Sequence, residues 1–164
     1  MGMKKPRKQA LVALLVVFLG IQFVPVERRN PPVQAEQTIF AVEPVPSAVR
    51  AVFETSCLDC HSNRTRWPWY SYVAPVSWMV AHDVHEGRSH MNFSEWGSYS
   101  AKQREHRLEA ICEQLLNEDM PDAKYTLLHR SARLSHEQRE LVCAWIDAGR
   151  DRSRVTGQGP ASRP

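Results

Sequence analysis

The chain carries two cysteines and a histidine within the five residues CLDCH, at positions 57–61. No other short stretch of the sequence restricts the fold and the chemistry as strongly. On one helical turn, residues at positions i, i+3 and i+4 are neighbours. The spacing therefore predicts a short helix that directs Cys57, Cys60 and His61 to one side.

Three chemistries use such a motif, and they differ in which residues they need. A thioredoxin-like dithiol requires a neighbouring strand–helix–strand pattern, which the sequence lacks, and it leaves His61 without a role. A zinc site with His85 and His90 has an H-x4-H spacing, but the 24 residues between Cys60 and His85 exceed the roughly 12–15 of the usual finger. Covalent haem uses the whole motif: two thiols form thioethers with the porphyrin vinyl groups, and the imidazole binds the iron. The sequence favours haem c on Cys57 and Cys60, with His61 as proximal iron ligand.

A methionine and several histidines compete for the second axial position on the iron. Met120 is the leading candidate, because it follows a predicted helix and because methionine–histidine ligation suits electron transfer. The alternative is that Met120 fills a gap in the core. Histidine ligation would give a lower-potential site, and the other candidates considered are His82, His85, His129, Met79 and Met91. His106 and His136 lie among charged residues and are predicted to face solvent.

Aromatic residues cluster directly after the motif. A flat macrocycle needs flat apolar walls, so Trp67, Tyr70 and Trp78 are predicted to line a haem pocket, with ordinary core packing as the alternative. Arg64, Arg66 and the indole N–H groups are candidates for binding the haem propionates. Cys112 and Cys143 lie on the apolar faces of two late helices and are either paired or buried separately.

The N-terminal region is basic and then apolar. Lys4, Lys5, Arg7 and Lys8 precede the apolar run at residues 10–26, which is at the short end of the roughly 17–25 residues that span a bilayer. The charge pattern predicts an N-terminus in the cytoplasm and a domain on the far side. An uncleaved anchor is favoured over cleavage near residues 33–35, since those lie well past the apolar run.

The sequence divides into five segments. We predict a basic N-terminus at 1–9, a signal-anchor or transmembrane helix at 10–26, a proline-rich linker at 27–45, one haem-binding domain at 46–149 and a disordered tail at 150–164. The net charge of +3 comes largely from the two ends. No basic stripe lies on the predicted domain, so a nucleic-acid partner is not expected.

The domain itself is predicted to be all-helical. One helix follows Ser47, a second runs over about 75–87, and two more begin at the capping boxes Ser100/Gln103 and Ser135/Gln138. Gly149 is predicted to stop the last helix. No segment alternates at period two, which leaves four helices and one long aromatic loop.

Several longer stretches resemble one family. The run CLDCHSNRTRWPWYSYVAPVSWMVAHDVHEGRSHMNFSEW, with MPDAKYTLLHRSARLS and LVCAWIDAG, is similar to the bacterial haem-binding domain family of membrane-anchored monohaem c-type cytochromes. The resemblance implies a cytochrome c-like helical fold with haem on Cys57 and Cys60. It also implies His61 as proximal ligand. By looser similarity to small cytochromes c, Met120 is the distal ligand and the Pro75 carbonyl accepts the His61 Nδ1 proton.

These observations predict a single-haem electron carrier, tethered to the cytoplasmic membrane and facing the extracytoplasmic side. Its expected partners are redox proteins at the membrane, and no enzymatic turnover is expected. The rival interpretation is a haem sensor or peroxidase-like site with an open distal position, in which His82 or His85 is the acid–base group. A structural interaction domain stabilised by haem is a third alternative.

Overall fold

The described part of the chain is entirely helical. The structure, a computed structural model, describes residues 5–155, and within them there are eight α-helices and no strand. The predicted all-α class is therefore confirmed. The helices are α1 (Lys5–Ile21), α2 (Ile39–Val42), α3 (Ser47–Ser56), α4 (Leu58–His61), α5 (Val76–His90), α6 (Ala101–Leu116), α7 (Ala123–Leu128) and α8 (His136–Val155).

Helix α1 corrects the prediction for the N-terminal region. It has 17 residues, and its first turn contains Lys5, Arg7 and Lys8. These cations shorten its apolar part below the roughly 20 residues that a spanning helix needs. No helix of the described residues combines the length and the apolar character required to cross a membrane. The predicted N-terminal membrane helix is therefore wrong, as is the predicted single-pass anchor in the cytoplasmic membrane.

The core lies where α3, α6 and α8 meet. Helix α6 packs along α8, and α3 packs against α8. Each of these helices has an apolar stripe at helical spacing, which accounts for their mutual burial. The fully buried side chains include Val49 and Phe53 of α3, Val142 of α8, and Phe93 and Trp96 of the loop before α6.

Part of the segment assigned to a proline-rich linker packs against this core. Ile39 is 0 % exposed, and its backbone N–H donates to the Phe93 carbonyl at 2.9 Å. Further upstream, the Arg88 guanidinium donates to the Arg29 carbonyl at 2.9 Å and to Asn30 Oδ1 at 2.8 Å. Residues 29–39 are thus held on the domain by hydrogen bonds and apolar burial.

Two of the three helix ends predicted from short sequence motifs are confirmed, and one is wrong. Both predicted capping boxes form, at Ser100/Gln103 and Ser135/Gln138. Gly149 does not stop α8, which runs to Val155, and the next residue, Arg150, pairs with Glu109 of α6. The predicted tail from 150 therefore begins helically, and residues 156–164 lie outside the described residues.

The number of helices also exceeds the predicted four. Helices α2, α4 and α7 have four, four and six residues, too few to display a helical period in the sequence. A disulfide joins Cys112 of α6 to Cys143 of α8. It decides between the two alternatives left open for these cysteines.

Candidate functional site

The CLDCH motif forms one helical turn at the end of α3. The Cys57 N–H donates to the Phe53 carbonyl at 3.0 Å, which continues the hydrogen bonding of α3 into the motif. The His61 and Cys60 N–H groups then donate to the Cys57 carbonyl, at 2.9 and 3.3 Å. The turn therefore has the helical geometry that the spacing predicted.

A cavity of about 580 Å³ opens beside this turn. Its volume lies within the roughly 300–1,000 Å³ that is usual for small-molecule sites. Cys57 and His61 of the motif line it, together with Phe93, Leu115 and Met120. The structure thus brings the predicted proximal ligand, one predicted thioether residue and the predicted distal ligand to a single mostly apolar cavity.

The His61 ring is oriented by a backbone carbonyl. Its Nδ1 lies 3.2 Å from the Met91 carbonyl oxygen, and since a carbonyl only accepts, Nδ1 carries the proton and Nε2 keeps its lone pair. Burial lowers the pKa of His61, so the neutral form is favoured. The Pro75 carbonyl, suggested for this role by similarity, instead accepts the Trp78 N–H at 3.1 Å.

The two motif cysteines are free thiols. Burial raises the pKa of Cys57 to about 12 and that of Cys60 to about 11, so both are protonated at neutral pH. Cys60 is not among the residues that line the cavity, so of the three motif residues predicted to face one side only Cys57 and His61 share the cavity. Cys60 lies instead under α5, where a Cβ added at Gly87 would come within 2.7 Å of the Cys60 carbonyl oxygen. Only a glycine allows α5 to approach the motif so closely.

Met120 reaches the cavity because the chain folds back after α6. The N–H groups of Asp119 and Met120 both donate to the Gln114 carbonyl, at 3.1 and 3.2 Å. Met120 is 40 % exposed and forms part of the cavity wall. The Met120 side chain therefore lies at the cavity and is not buried in the hydrophobic core.

The histidines are distributed differently from the prediction. His90 and His106 line the cavity and are exposed, which confirms that His106 faces solvent but adds a place at the cavity that was not predicted. Its spacing from Ala110 and Gln114, which also line the cavity, is the signal that could have identified it. His82 and His85 lie on another face of α5, beside a separate polar groove.

None of the three predicted pocket aromatics lines the cavity. Trp67 borders the polar groove of His82 and His85 and donates its indole N–H to Asn30 Oδ1 at 3.2 Å. Trp78 is 37 % exposed on α5. Tyr70 belongs to a polar network on the other side of the motif.

That network is centred on Asp59, the residue between the two cysteines. The Asp59 carboxylate accepts from the backbone N–H, Nε and Nη2 of Arg66, each at 3.1 Å, and from the Tyr125 hydroxyl at 2.9 Å. The Tyr125 ring stacks on His129 with centroids 4.3 Å apart, and His129 Nε2 lies 2.5 Å from the Tyr70 hydroxyl. Burial, followed by the charge of Asp59, raises the pKa of Tyr125. Sequence reasoning did not identify this network.

Two further features of the described chain bear on the dithiol and zinc alternatives. Cys57 and Cys60 form no disulfide with each other. Across residues 5–155, no group of three or more histidine, cysteine, aspartate or glutamate side chains is placed to hold a metal ion. The zinc site considered from the H-x4-H spacing is therefore not formed by these residues.

Comparison with known proteins agrees with the resemblance seen in the sequence. No curated protein and no solved structure shows a significant match to the chain. The model of the haem-binding domain family matches residues 16–148, which is most of the sequence and includes the motif, the cavity and Met120. This match supports a haem cofactor, and the chain belongs to the haem-binding domain family.

Proposed function

We propose that the cavity binds one haem c, attached through Cys57 and Cys60 and ligated by His61, and that the protein carries single electrons. The observation that supports this most directly is the meeting of Cys57, His61 and Met120 at one cavity. These residues come from the motif and from the segment after α6, which lie 59 residues apart in the sequence (120 − 61). A methionine-ligated c-type haem uses two cysteine thiols for covalent attachment, and an imidazole and a methionine thioether as iron ligands.

The residues of the cavity fit such a group. Most of the lining is apolar, as a largely hydrocarbon macrocycle requires. Ser56 Oγ, at the cavity wall, is buried without a hydrogen-bond partner in the described chain. Such atoms are rare in folded proteins unless a ligand or water satisfies them. The lining is therefore apolar enough for a macrocycle, and it contains a hydroxyl group to which a ligand could hydrogen-bond.

The chain's own residues prepare the proximal ligand. The Met91 carbonyl fixes the His61 tautomer, which leaves Nε2 unprotonated and directs the ring. Burial favours the neutral imidazole, the form that binds a metal. The Phe93 ring lies beside it, with ring centroids 6.3 Å apart.

Met120 is the proposed distal ligand, and its thioether would hold the iron together with the His61 imidazole. Haem held between histidine and methionine supplies one-electron cycling between Fe(III) and Fe(II), at a potential raised by the methionine. The disulfide between α6 and α8 limits movement of the wall that leads to Met120. The proposed partners are redox proteins that donate or accept one electron, and the role involves no substrate turnover.

A second candidate function is a haem sensor or a peroxidase-like site with an open distal position. One observation favours it: His90 and His106 both line the cavity, and an imidazole there can act as an acid or a base. His82 and His85, which the sequence offered for this role, lie outside the cavity. In this alternative Met120 stays at the wall without binding the iron.

The first test is the absorption spectrum of protein produced with a haem-attachment system. The expected result is a c-type reduced spectrum that survives denaturation, with a far-red methionine–iron band in the oxidised form. Met120→Ala should abolish that band. The matched control is Met79→Ala, which also removes a methionine but at a position 49 % exposed on α5 and away from the cavity.

Each other outcome has a definite meaning. Covalent haem with no far-red band, together with ready binding of carbon monoxide to the reduced protein, would favour the sensor or peroxidase-like function. Haem that is lost on denaturation would contradict thioether attachment through Cys57 and Cys60. Loss of the band in Met79→Ala alone would exclude Met120 as the distal ligand.

A further inference from the structure

The cavity has one permanently charged side chain in its wall. Arg107 of α6 lines it, and none of the lining residues is an aspartate, a glutamate or a lysine. The remaining lining groups that can become positive are histidines. A cavity with a single cation and no acidic group is suited to an otherwise apolar ligand that carries a carboxylate.

Arg107 is poorly satisfied by the protein. Its Nε atom is buried with no hydrogen-bond partner, and its Nη1 donates to the Gln103 carbonyl at a long 3.4 Å. The guanidinium carbon lies 3.9 Å from the centroid of the Tyr99 ring. The Tyr99 face thus holds the guanidinium in place while a strong donor remains unused.

Two other arginines show that this condition is specific to Arg107. The Nε atoms of Arg139 and Arg150 are likewise buried without a partner. Their guanidinium groups, however, form ion pairs with Glu118 and Glu109. Within the described chain Arg107 forms no ion pair. A carboxylate that pairs with Arg107 would therefore come from outside these residues.

The arginines that sequence reasoning offered for the propionates are placed elsewhere. Arg64 and Arg66 do not line the cavity. Arg66 is already engaged by the Asp59 carboxylate through Nε and Nη2. Arg107 is thus the arginine that lines the cavity and has a buried Nε–H without an acceptor.

We propose that Arg107 binds a propionate carboxylate of the haem, with its buried Nε–H as a donor. The inference rests on the proposed haem binding and assigns a further ligand-binding residue to it. An arginine presents a planar set of N–H donors that matches a carboxylate better than the single ammonium of lysine. Tyr99 acts as a positioning residue, since the Arg107 guanidinium stacks on its ring.

The test compares Arg107→Gln with Arg104→Gln by redox titration over a range of pH. Arg104 is the matched control: it lies one turn earlier on α6, donates to the Tyr99 carbonyl at 3.2 Å and pairs with Glu43, but it does not line the cavity. Arg107→Gln should shift the Fe(III)/Fe(II) equilibrium toward Fe(III) by about a factor of ten, or ~59 mV for a one-electron couple. Arg104→Gln should shift it much less.

The pH profile provides a readout that a purely structural role would not change. A propionate deprived of its arginine titrates nearer neutrality, so the potential of Arg107→Gln should fall with rising pH in that region. The titratable groups facing Arg107 are Tyr99 beneath it, His106 on its own helix, and His90 and His61 across the cavity. The same titration of His106→Gln identifies any contribution from the adjacent imidazole.

Failure of this inference is distinguishable from failure of the proposed function. A haem-loaded Arg107→Gln whose potential and pH profile match those of Arg104→Gln overturns the role of Arg107 alone. Wild-type protein that holds no haem overturns the proposed function. Where Arg107→Gln does not fold, Arg107→Lys is measured: it keeps the charge and loses Nε–H, and an unchanged profile overturns the inference equally.

Discussion

The two sides of the turn at residues 57–61 are built in different ways. On the side of Cys57 and His61, the turn faces a mostly apolar cavity, and the His61 ring makes one hydrogen bond, to the Met91 carbonyl. On the side of Asp59, one carboxylate accepts four hydrogen bonds, three from Arg66 and one from Tyr125. The same short helix therefore faces a cavity on one side and is held by side-chain hydrogen bonds on the other.

The difference shows how the turn at residues 57–61 can be stabilised without engaging the side chains that are proposed to bind the ligand. Hydrogen bonds to a charged carboxylate are stronger than neutral ones, and a partly buried position strengthens them further. Asp59 and its partners can therefore fix the backbone of the motif while Cys57 and His61 remain available. The stability of the turn and its ligand chemistry reside in different residues.

The cavity side has a support of its own, which is covalent and apolar. Helix α6, which supplies much of the cavity wall, is joined to α8 by the disulfide. The buried residues Ile111 and Leu115 anchor α6 in the core. Three variants, taken in order of expected effect, test whether the two sides are supported independently.

The largest effect is expected from the disulfide. The bridge joins cysteines separated by 31 positions, and loop-closure entropy for such a span corresponds to about 3–4 kcal/mol. Cys112→Ala/Cys143→Ala should lose about that free energy of unfolding in denaturant titrations. Wild-type protein in reductant should resemble the double variant, and an unchanged unfolding midpoint in reductant would contradict the prediction.

Removal of the Asp59 carboxylate should have the next largest effect. Asp59→Ala leaves the Tyr125 hydroxyl and the Arg66 N–H without their acceptor. Because Arg66 is largely exposed, we expect the free energy of unfolding to fall by about 2–3 kcal/mol, less than for breaking a fully buried ion pair. Chemical denaturation measures this loss. Asp147→Ala, an exposed position on α8, is the control and should stay within about 0.5 kcal/mol of wild type. Equal effects of both variants would show that the network does not hold the turn.

The smallest effect is expected from the Tyr125 hydroxyl, and it should depend on pH. Tyr125→Phe removes one hydrogen bond to a carboxylate, worth about 1.5 kcal/mol. Burial and the nearby Asp59 raise the pKa of Tyr125 in the folded state. The folded state therefore keeps the phenolic proton at pH values where the unfolded chain, with a tyrosine pKa of ~10, has lost it.

The sign of this effect follows from linkage. Above the unfolded pKa the native state binds more protons, so the wild-type free energy of unfolding decreases as pH rises. Below that value the contribution of Tyr125 is fully present. Tyr125→Phe should differ from wild type most at neutral pH, and the difference should shrink on the alkaline side. A constant difference across this range would contradict the raised pKa.

Much of the local structure could be predicted from the sequence, because its causes are local. Capping boxes at Ser100 and Ser135 join residues three apart, and both form. The turn of Cys57, Cys60 and His61 likewise follows from hydrogen bonds within five residues. Met120 was identified by its chemistry and by its place after a helix, and the structure brings it to the same cavity.

Other features depend on contacts that leave no such pattern. The Asp59–Tyr125 hydrogen bond joins residues 66 positions apart, and neither residue type predicts the other. Trp67, Tyr70 and Trp78 were assigned to a pocket by their flat rings, but tertiary packing places all three away from the cavity. His106 faces solvent, as its charged neighbours predict, but its helical spacing from Ala110 also places it at the cavity.

The sequence by itself determined the all-helical class, the geometry of the motif and the haem-binding family. Each depends on the spacing of residue types along a short stretch, which backbone hydrogen bonding converts directly into structure. Only the tertiary structure decided that Ile39 enters the core, that Cys112 pairs with Cys143, and which arginine faces the cavity. These outcomes follow from the packing of distant segments, where burial of apolar surface selects one arrangement among many that the local pattern allows.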